Sequence, residues 1–341
     1  MLPGQPPSTS LKPVMGAEMT LNMRAIVRAM TCLMMLTAMP AAAQTAPAAP
    51  TPPPAAKPWS DITEVVVRAH APGPAMWKLT RGGATVWVMG TLHVSPKDVA
   101  WDATRFRRVL DGAQVLILPR VIDDVPVSEQ DMETPNSQPL STVVSAATYS
   151  RFQAVLDREN FDGLPTGIAY QPAWAGAWLI ARVYQAHDIT THIVPPEVAT
   201  YAAQSGVAVK YVDRHTTWLQ TRQYGHIDKV TGEACLNDYL DGIDHDLATV
   251  ALMGKAWAEG DVQTILANHR EPAWVACFLS QPKYDDLYEK YAVDDMVKTV
   301  DNALKTPGKS VAVMPLSDLL RRDGILDRLR AEGVTITAPA E

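Results

Sequence analysis

Short, continuously apolar runs separated by amphipathic stretches dominate the chain from about residue 77 onward. The run ATVWVMG at residues 84–90 is too continuously apolar for a half-exposed strand, so it predicts a strand buried on both faces. Similar runs predict four further strands, at residues 114–119, 207–212, 309–314 and 334–337.

Between these runs the apolar positions return at helical spacing. Asp102 precedes one such stretch, in which Phe106, Val109 and Leu110 share a face, and a strand–helix–strand unit follows over residues 84–119. Strands joined by a helix lie parallel, and we expect these two to be neighbours. Further helices are predicted within residues 149–160, 172–187, 195–206, 238–308 and 318–333.

The pattern as a whole predicts an α/β fold. A parallel-rich central sheet is flanked by helices, and a large helical insertion lies between about residues 140 and 305. The domain itself is expected to span residues 71–341.

The N-terminal segment has the features of an export signal. Arg24 and Arg28 precede an apolar run of about a dozen residues, and small side chains form a cleavage site near Ala43. We expect residues 1–43 to be an upstream extension and a cleaved signal peptide, which predicts a periplasmic or secreted protein with no membrane span after cleavage. An uncleaved anchor is the alternative. Three methionines are candidates for the true start: Met1, Met19 and Met23.

Residues 44–70 are rich in alanine and proline at their start and predict an extended linker ahead of the domain. The formal net charge of −7 argues against a nucleic-acid partner, which usually binds a basic surface. Two cysteines remain after signal cleavage, Cys235 and Cys277. In an oxidising compartment they can pair as a disulfide, and two buried free thiols are the alternative.

Ligands of a parallel sheet bind beyond the carboxyl ends of its strands. His93 follows the first predicted strand and is a candidate metal ligand or proton acceptor, with a structural hydrogen-bonding role as the alternative. The other residues that follow strand ends are Gly90, Thr91, Pro119, Arg120, Ser317 and Asp318. The remaining histidines are scattered and are expected to be structural: His70, His187, His192, His215, His226, His245 and His269.

The chain lacks the H-E-x-x-H, G-x-S-x-G, Walker and G-x-G-x-x-G motifs, which argues against the common zinc peptidase, serine hydrolase and nucleotide-binding classes. Four blocks, in order, resemble the TraB/GumN family, the bacterial relatives of Tiki proteins. They are MWKLTRGGATVWVMGTLHVSP at 76–96, LDGAQVLIL at 110–118, AWAEGD at 256–261 and KSVAVMPLSDLLRRDGILDRLRAEGVTIT at 309–337.

The resemblance implies a metal-dependent hydrolase site, and Tiki members cleave peptides. Such a site combines histidines from two G-x-x-H elements, a glutamate that ends the second strand and an arginine late in the chain. Gly90 and His93 match the first element. Pro119 stands in place of the glutamate, Ser317 in place of the second histidine and Val293 or its neighbour in place of the arginine.

Two functions follow from these departures. In the first, the protein is a pseudoenzyme that binds an envelope protein or peptide and needs no cofactor. In the second, it is a divergent metal-dependent hydrolase with catalytic His93 and Asp318. One of Asp123 or Asp124 would complete its cluster, and Gly90 and Thr91 would lie beside the divalent metal that His93 ligates.

Overall fold

A computed structural model describes residues 73–119, 132–164, 169–191, 194–212, 227–279 and 293–339. The predicted signal peptide and linker lie outside the described residues. So do several candidate site residues, namely His70, Arg120, Asp123, Asp124, His192, His215 and His226.

In the part of the chain that the structure describes, six strands form one mixed, mostly parallel sheet, and two short strands form a separate antiparallel ribbon. The strands are β1 (Met76–Arg81), β2 (Ala84–Thr91), β3 (Ser95–Pro96), β4 (Val115–Leu118), β5 (Ile189–Thr190), β6 (Ala208–Tyr211), β7 (Gly308–Pro315) and β8 (Thr335–Thr337). The sheet order is β6–β4–β7–β2–β1–β8, and the ribbon pairs β3 with β5. Strands β6, β4, β7 and β2 are parallel, whereas β1 is antiparallel to both of its neighbours.

Eleven helices flank the sheet within the described part of the chain. They are α1 (Thr104–Leu110), α2 (Leu140–Val143), α3 (Ala146–Glu159), α4 (Pro172–Ala186), α5 (Glu197–Gln204), α6 (Lys229–Glu259), α7 (Val262–Ala267), α8 (Ala273–Leu279), α9 (Asp294–Ala303), α10 (Leu316–Leu320) and α11 (Ile325–Ala331). The α/β expectation, with a parallel-rich sheet and flanking helices, is confirmed.

The expected adjacency of β2 and β4 is wrong, although the two strands are parallel as predicted. Strand β7 lies between them, with Ala312 in register with Val88 on one side and Ile117 on the other. Residues 310–315 of β7 are buried throughout, so this strand takes the central position, which is covered on both faces.

The single helix predicted over residues 318–333 is also wrong, because the structure has two helices there. Helix α10 ends at Leu320, and Asp323 adopts a left-handed φ of 56° before α11 begins. A Cβ on Gly324 would lie 2.6 Å from the carbonyl oxygen of Asp318. The chain therefore turns sharply at a position that only glycine accommodates.

Different helices pack on the two faces of the sheet. Helices α1 and α5 pack on one face through residues such as Phe106 and Val198. The C-terminal part of α6 and helices α7, α9, α10 and α11 cover the other face through residues such as Trp257 and Leu319. The helical insertion has a core of its own, formed by α2, α3, α4 and the first half of α6.

Helix α6 is the longest element and links the two cores. Asp228 caps its start by accepting the backbone N–H groups of Val230 and Thr231, and Gly260 ends it with a left-handed φ of 75°. The predicted pairing of Cys235 with Cys277 is confirmed: a disulfide joins α6 to α8, with 4.8 Å between the two Cα atoms. Among the described residues, no helix combines the length and apolar character that a membrane crossing needs.

Candidate functional site

The carboxyl ends of β2 and β7 lie side by side, so the segments that follow them meet at one edge of the sheet. Gly90 is in register with Met314, and Thr91 with Pro315. The Thr91 hydroxyl donates to the Met314 carbonyl oxygen over 3.1 Å. The structure therefore brings the region of His93 next to α10, which carries Ser317 and Asp318.

Gly90 is a close-packing position. A Cβ there would lie 2.2 Å from Leu316 Cδ2 and 3.0 Å from Trp77 Cζ3. The Gly90 carbonyl oxygen accepts the indole N–H of Trp257 over 2.8 Å. Gly90 and Thr91 therefore contact neighbouring protein atoms, and these contacts hold the start of the loop that carries His93.

His93 is half-buried, and its surroundings favour the neutral imidazole. Its ring meets that of Trp274 edge to face, with 6.2 Å between the centroids. Its Nε2 atom is buried and has no hydrogen-bond partner among the described residues. Burial lowers the pKa of His93 below its ordinary value of 6.5, and the charges of Asp318 and Glu271 oppose that effect only in part.

Residues that the sequence did not single out surround His93. Glu271 lies on the connection between α7 and α8, with one carboxylate oxygen 3.6 Å from His269 Nε2. Burial raises the pKa of Glu271, but the hydrogen bond and charge of His269, with the charges of His93 and Arg321, bring it below its ordinary value. Asp318 and Arg321 are only 3% and 5% exposed. We call His93, His269, Glu271, Ser317, Asp318 and Arg321 the His93 cluster.

A small chamber of about 40 Å³ adjoins His93 on the side of α6 and α7. Its wall includes His245, His269 and Ser317, and the Ser317 hydroxyl is also buried without a hydrogen-bond partner among the described residues. A volume of this size has room for a water molecule, which two or more polar atoms would have to bind.

A much larger cleft of about 960 Å³ opens on the other side of His93. Its walls are mainly apolar and include Trp101, Trp257 and Trp274, and the β3–β5 ribbon lines one margin. The first of these indoles packs against the second, with 5.5 Å between the ring centroids. The edge of the sheet at which β2 and β7 end thus combines a buried charged cluster with an aromatic cleft.

A family model described as the TraB/PrgY/gumN family matches residues 75–338, which is most of the chain. This protein belongs to the TraB/PrgY/gumN family. Searches of curated proteins and of solved structures return no significant match.

In this TraB/PrgY/gumN member, the described residues at the positions that the resemblance marks as replaced offer no strong metal ligand. Pro119 follows β4 and has no ligating group, and Ser317 offers only a neutral hydroxyl. Val293 is fully buried in the core next to α9. Within the described ranges, no three side chains of His, Cys, Asp or Glu come together as a metal-binding group, so the donors found there do not fit a three-ligand metal site.

In place of a metal ion, the His93 cluster contains the positive charge of Arg321. Arg321 lies next to Glu271 and His93 closely enough that its charge lowers the pKa of both. A guanidinium cannot lose its proton at neutral pH, so it neutralises buried carboxylates permanently. His269 and Glu271 come from one connection and Arg321 from another, and the sequence signal for the first two is the polar stretch NHRE at 268–271.

Two further histidines have structural partners. His187 Nε2 lies 2.7 Å from a carboxylate oxygen of Glu159. His245 lies between Asp246, 3.0 Å from its Nδ1, and the Asn268 carbonyl oxygen, 3.1 Å from its Nε2. His187 lies outside the His93 cluster and both cavities, whereas His245 lines the small chamber.

Proposed function

We propose that this TraB/PrgY/gumN member is an exported pseudoenzyme that holds a peptide segment of an envelope protein in its cleft without cleaving it. One observation carries the proposal. By the family resemblance, Pro119 and Ser317 replace two metal ligands, and a cleft of about 960 Å³ lies beside His93. The chemistry of the ancestral site is impaired, but the means to bind a ligand are retained.

The cleft supports this proposal by its size and its walls. Ligand sites commonly measure about 300–1,000 Å³ and are lined mainly by apolar and aromatic side chains. The ribbon strands at Ser95–Pro96 and Ile189–Thr190 both line the cleft, so an extended peptide can follow its margin. Indole rings such as those of Trp101 and Trp274 supply large contact areas at low entropic cost.

The charges of the His93 cluster support a function that uses no metal. Asp318 and Glu271 would be costly to bury without a compensating positive charge. Arg321 supplies that charge from within the chain. Export is supported by the basic and apolar N-terminal segment together with the disulfide between Cys235 and Cys277.

The test uses the chain from residue 44 onward and pools of fluorescein-labelled heptapeptides, with binding followed by anisotropy. Ala181 and Ala186 are both exposed on α4, but only Ala181 lines the cleft. Ala181→Trp should narrow the cleft and weaken peptide binding at least about tenfold, whereas Ala186→Trp should leave it unchanged. Equal binding by both variants, or no binding by the wild type, would overturn the proposal.

A second candidate is a hydrolase, which the state of His93 favours. A neutral imidazole with an unpartnered Nε2 beside a chamber large enough for a water molecule can act as a general base toward that water. It would take a proton from water as the oxygen adds to a peptide carbonyl, and would return the proton to the leaving amine.

Mass spectrometry of the bound heptapeptides separates the two functions. The pseudoenzyme should return them intact, whereas cleavage that disappears in His93→Gln would identify the hydrolase. Titration with Zn²⁺ and with Mn²⁺ adds a second readout. Stoichiometric binding that His93→Ala abolishes would favour a metal-dependent hydrolase, and unchanged thermal stability in chelator would favour the pseudoenzyme.

A further inference from the structure

We propose that the cleft selects peptides that carry a lysine or arginine side chain, and that it binds this cation at a corner formed by Glu197, Trp101 and Trp257. The inference rests on the proposed peptide-binding function and adds the chemical class of the ligand. The three side chains are brought together by α5, the segment after β3 and the end of α6.

The corner is held in place by hydrogen bonds before any ligand arrives. Trp101 donates its indole N–H to a carboxylate oxygen of Glu197. Trp257 is anchored to the Gly90 carbonyl oxygen at 2.8 Å, and the two indole rings pack at an interplanar angle of 58°. All three residues line the cleft, so a preformed pair of aromatic rings carries a fixed carboxylate at its edge.

This combination recognises organic cations. The face of an indole ring attracts an ammonium or guanidinium group, and a carboxylate within reach adds a charge-assisted hydrogen bond. Arginine suits the corner especially well, since its planar guanidinium can stack on one ring while it donates to Glu197. Aliphatic or acidic side chains gain neither interaction.

The other charged residues of the cleft also favour a cationic ligand. Among the described lining residues, Asp98, Asp188 and Glu197 carry carboxylates and Lys97 carries the opposing charge, which leaves a formal excess of two negative charges. A concave site with an excess of one sign concentrates ligands of the opposite sign at its mouth. His93, which also lines the cleft, is neutral and does not reverse this balance.

Tyr184 adds an acceptor to the wall. Its hydroxyl donates to Asp246, so the lone pairs of the same oxygen are left to accept a hydrogen bond from a ligand N–H. Burial and the Asp246 charge raise the pKa of Tyr184, which keeps the hydroxyl protonated and this orientation constant. The cleft thus presents acceptors to a peptide that brings donors.

The experiment compares two heptapeptide pools that differ only at the central residue, which is arginine in one and citrulline in the other. Citrulline keeps the shape of arginine and removes its charge. The arginine pool should bind about tenfold more tightly, and the difference should shrink as salt concentration rises. Glu197→Gln, which keeps an oxygen for Trp101 but removes the charge, should reduce the preference to less than about threefold.

Two further variants complete the design. Asp188→Asn alters an exposed rim residue and should also lower the preference, whereas Glu332→Gln, far from the cleft on the C-terminal side of α11, should leave it unchanged. Equal affinity for both pools, with binding still lost in Ala181→Trp, overturns the cation selectivity and leaves the peptide-binding function standing. Binding of neither pool overturns both proposals.

Discussion

Trp257, near the end of the long helix α6, donates its indole N–H to the backbone oxygen of Gly90 at the end of strand β2 over 2.8 Å. This bond joins α6 to the sheet just before the loop that carries His93. We expect Trp257→Phe to lower the free energy of unfolding by about 1–3 kcal/mol, because a buried carbonyl loses its donor. Urea denaturation measures the loss. Leu252→Ala, at an exposed position of the same helix, should change stability by less than about 0.5 kcal/mol.

Gly90 is required by packing as well as by the sequence motif. In Gly90→Ala the new methyl group would overlap the Leu316 side chain, so we expect a loss of about 1–3 kcal/mol. Gly83→Ala is the matched control, because the nearest atom to its Cβ would be Pro307 Cβ at an ordinary 3.6 Å. Thermal denaturation of the two variants should give a clearly lower Tm only for Gly90→Ala. Equal Tm values would contradict the packing argument.

The disulfide between Cys235 and Cys277 closes a loop of 42 residues. In the chain-entropy model a loop of this length contributes about 4 kcal/mol, by restricting the unfolded chain. Reduction of the wild type should therefore lower stability by an amount of this order. The double variant Cys235→Ala with Cys277→Ala should be equally destabilised and insensitive to reductant, whereas a response of this variant to reductant would point to another cause.

Arg321 and its neighbour Arg322 provide a test of the internal counter-charge. Arg321 is buried within reach of Glu271, whereas Arg322 is exposed. Arg321→Met should cost about 3–5 kcal/mol, since it leaves buried carboxylates without their cation. Arg322→Met should cost no more than about 0.5 kcal/mol. Similar stabilities of the two variants in urea would show that the cluster does not depend on Arg321.

The titration of His93 predicts how stability varies with pH. Its pKa in the folded protein lies below the ordinary 6.5, so the unfolded chain binds more protons as pH falls. Stability should therefore decrease below pH 6.5, and the lowered pKa of Glu271 should add a second decrease below pH 4.5. His93→Gln should remove most of the decrease in the free energy of unfolding that begins below pH 6.5. Resonances of the His93 ring in NMR spectra would give its pKa directly, and a value above 6.5 would contradict this account.

Local patterns were enough to predict most elements of this fold. The apolar runs that become β2, β4 and β7 are visible in the sequence, because a buried strand needs little beyond continuous apolar side chains. The runs that become β6 and β8 are visible too, although these edge strands are mostly exposed. The position of β7 between β2 and β4 is a non-local choice. Nothing near residues 84–119 indicates that a strand almost 200 residues later separates these two.

The site was predictable only in part for the same reason. His93 and Asp318 follow strand ends, which is a rule that can be applied to a sequence. His269, Glu271 and Arg321 reach the cluster from two connections whose courses depend on tertiary packing. The break before α11 depends on a left-handed Asp323, a conformation that helical periodicity does not reveal.

The central place of β7 has a consequence for how the chain must be made. Until residues 308–315 are available, the β1–β2 hairpin and the β4–β6 pair share no strand that could join them. A nascent chain that lacks this late segment therefore cannot complete the sheet. The long-range strand pairing that joins the two halves of the sheet is slow, and it can form only when synthesis is nearly finished.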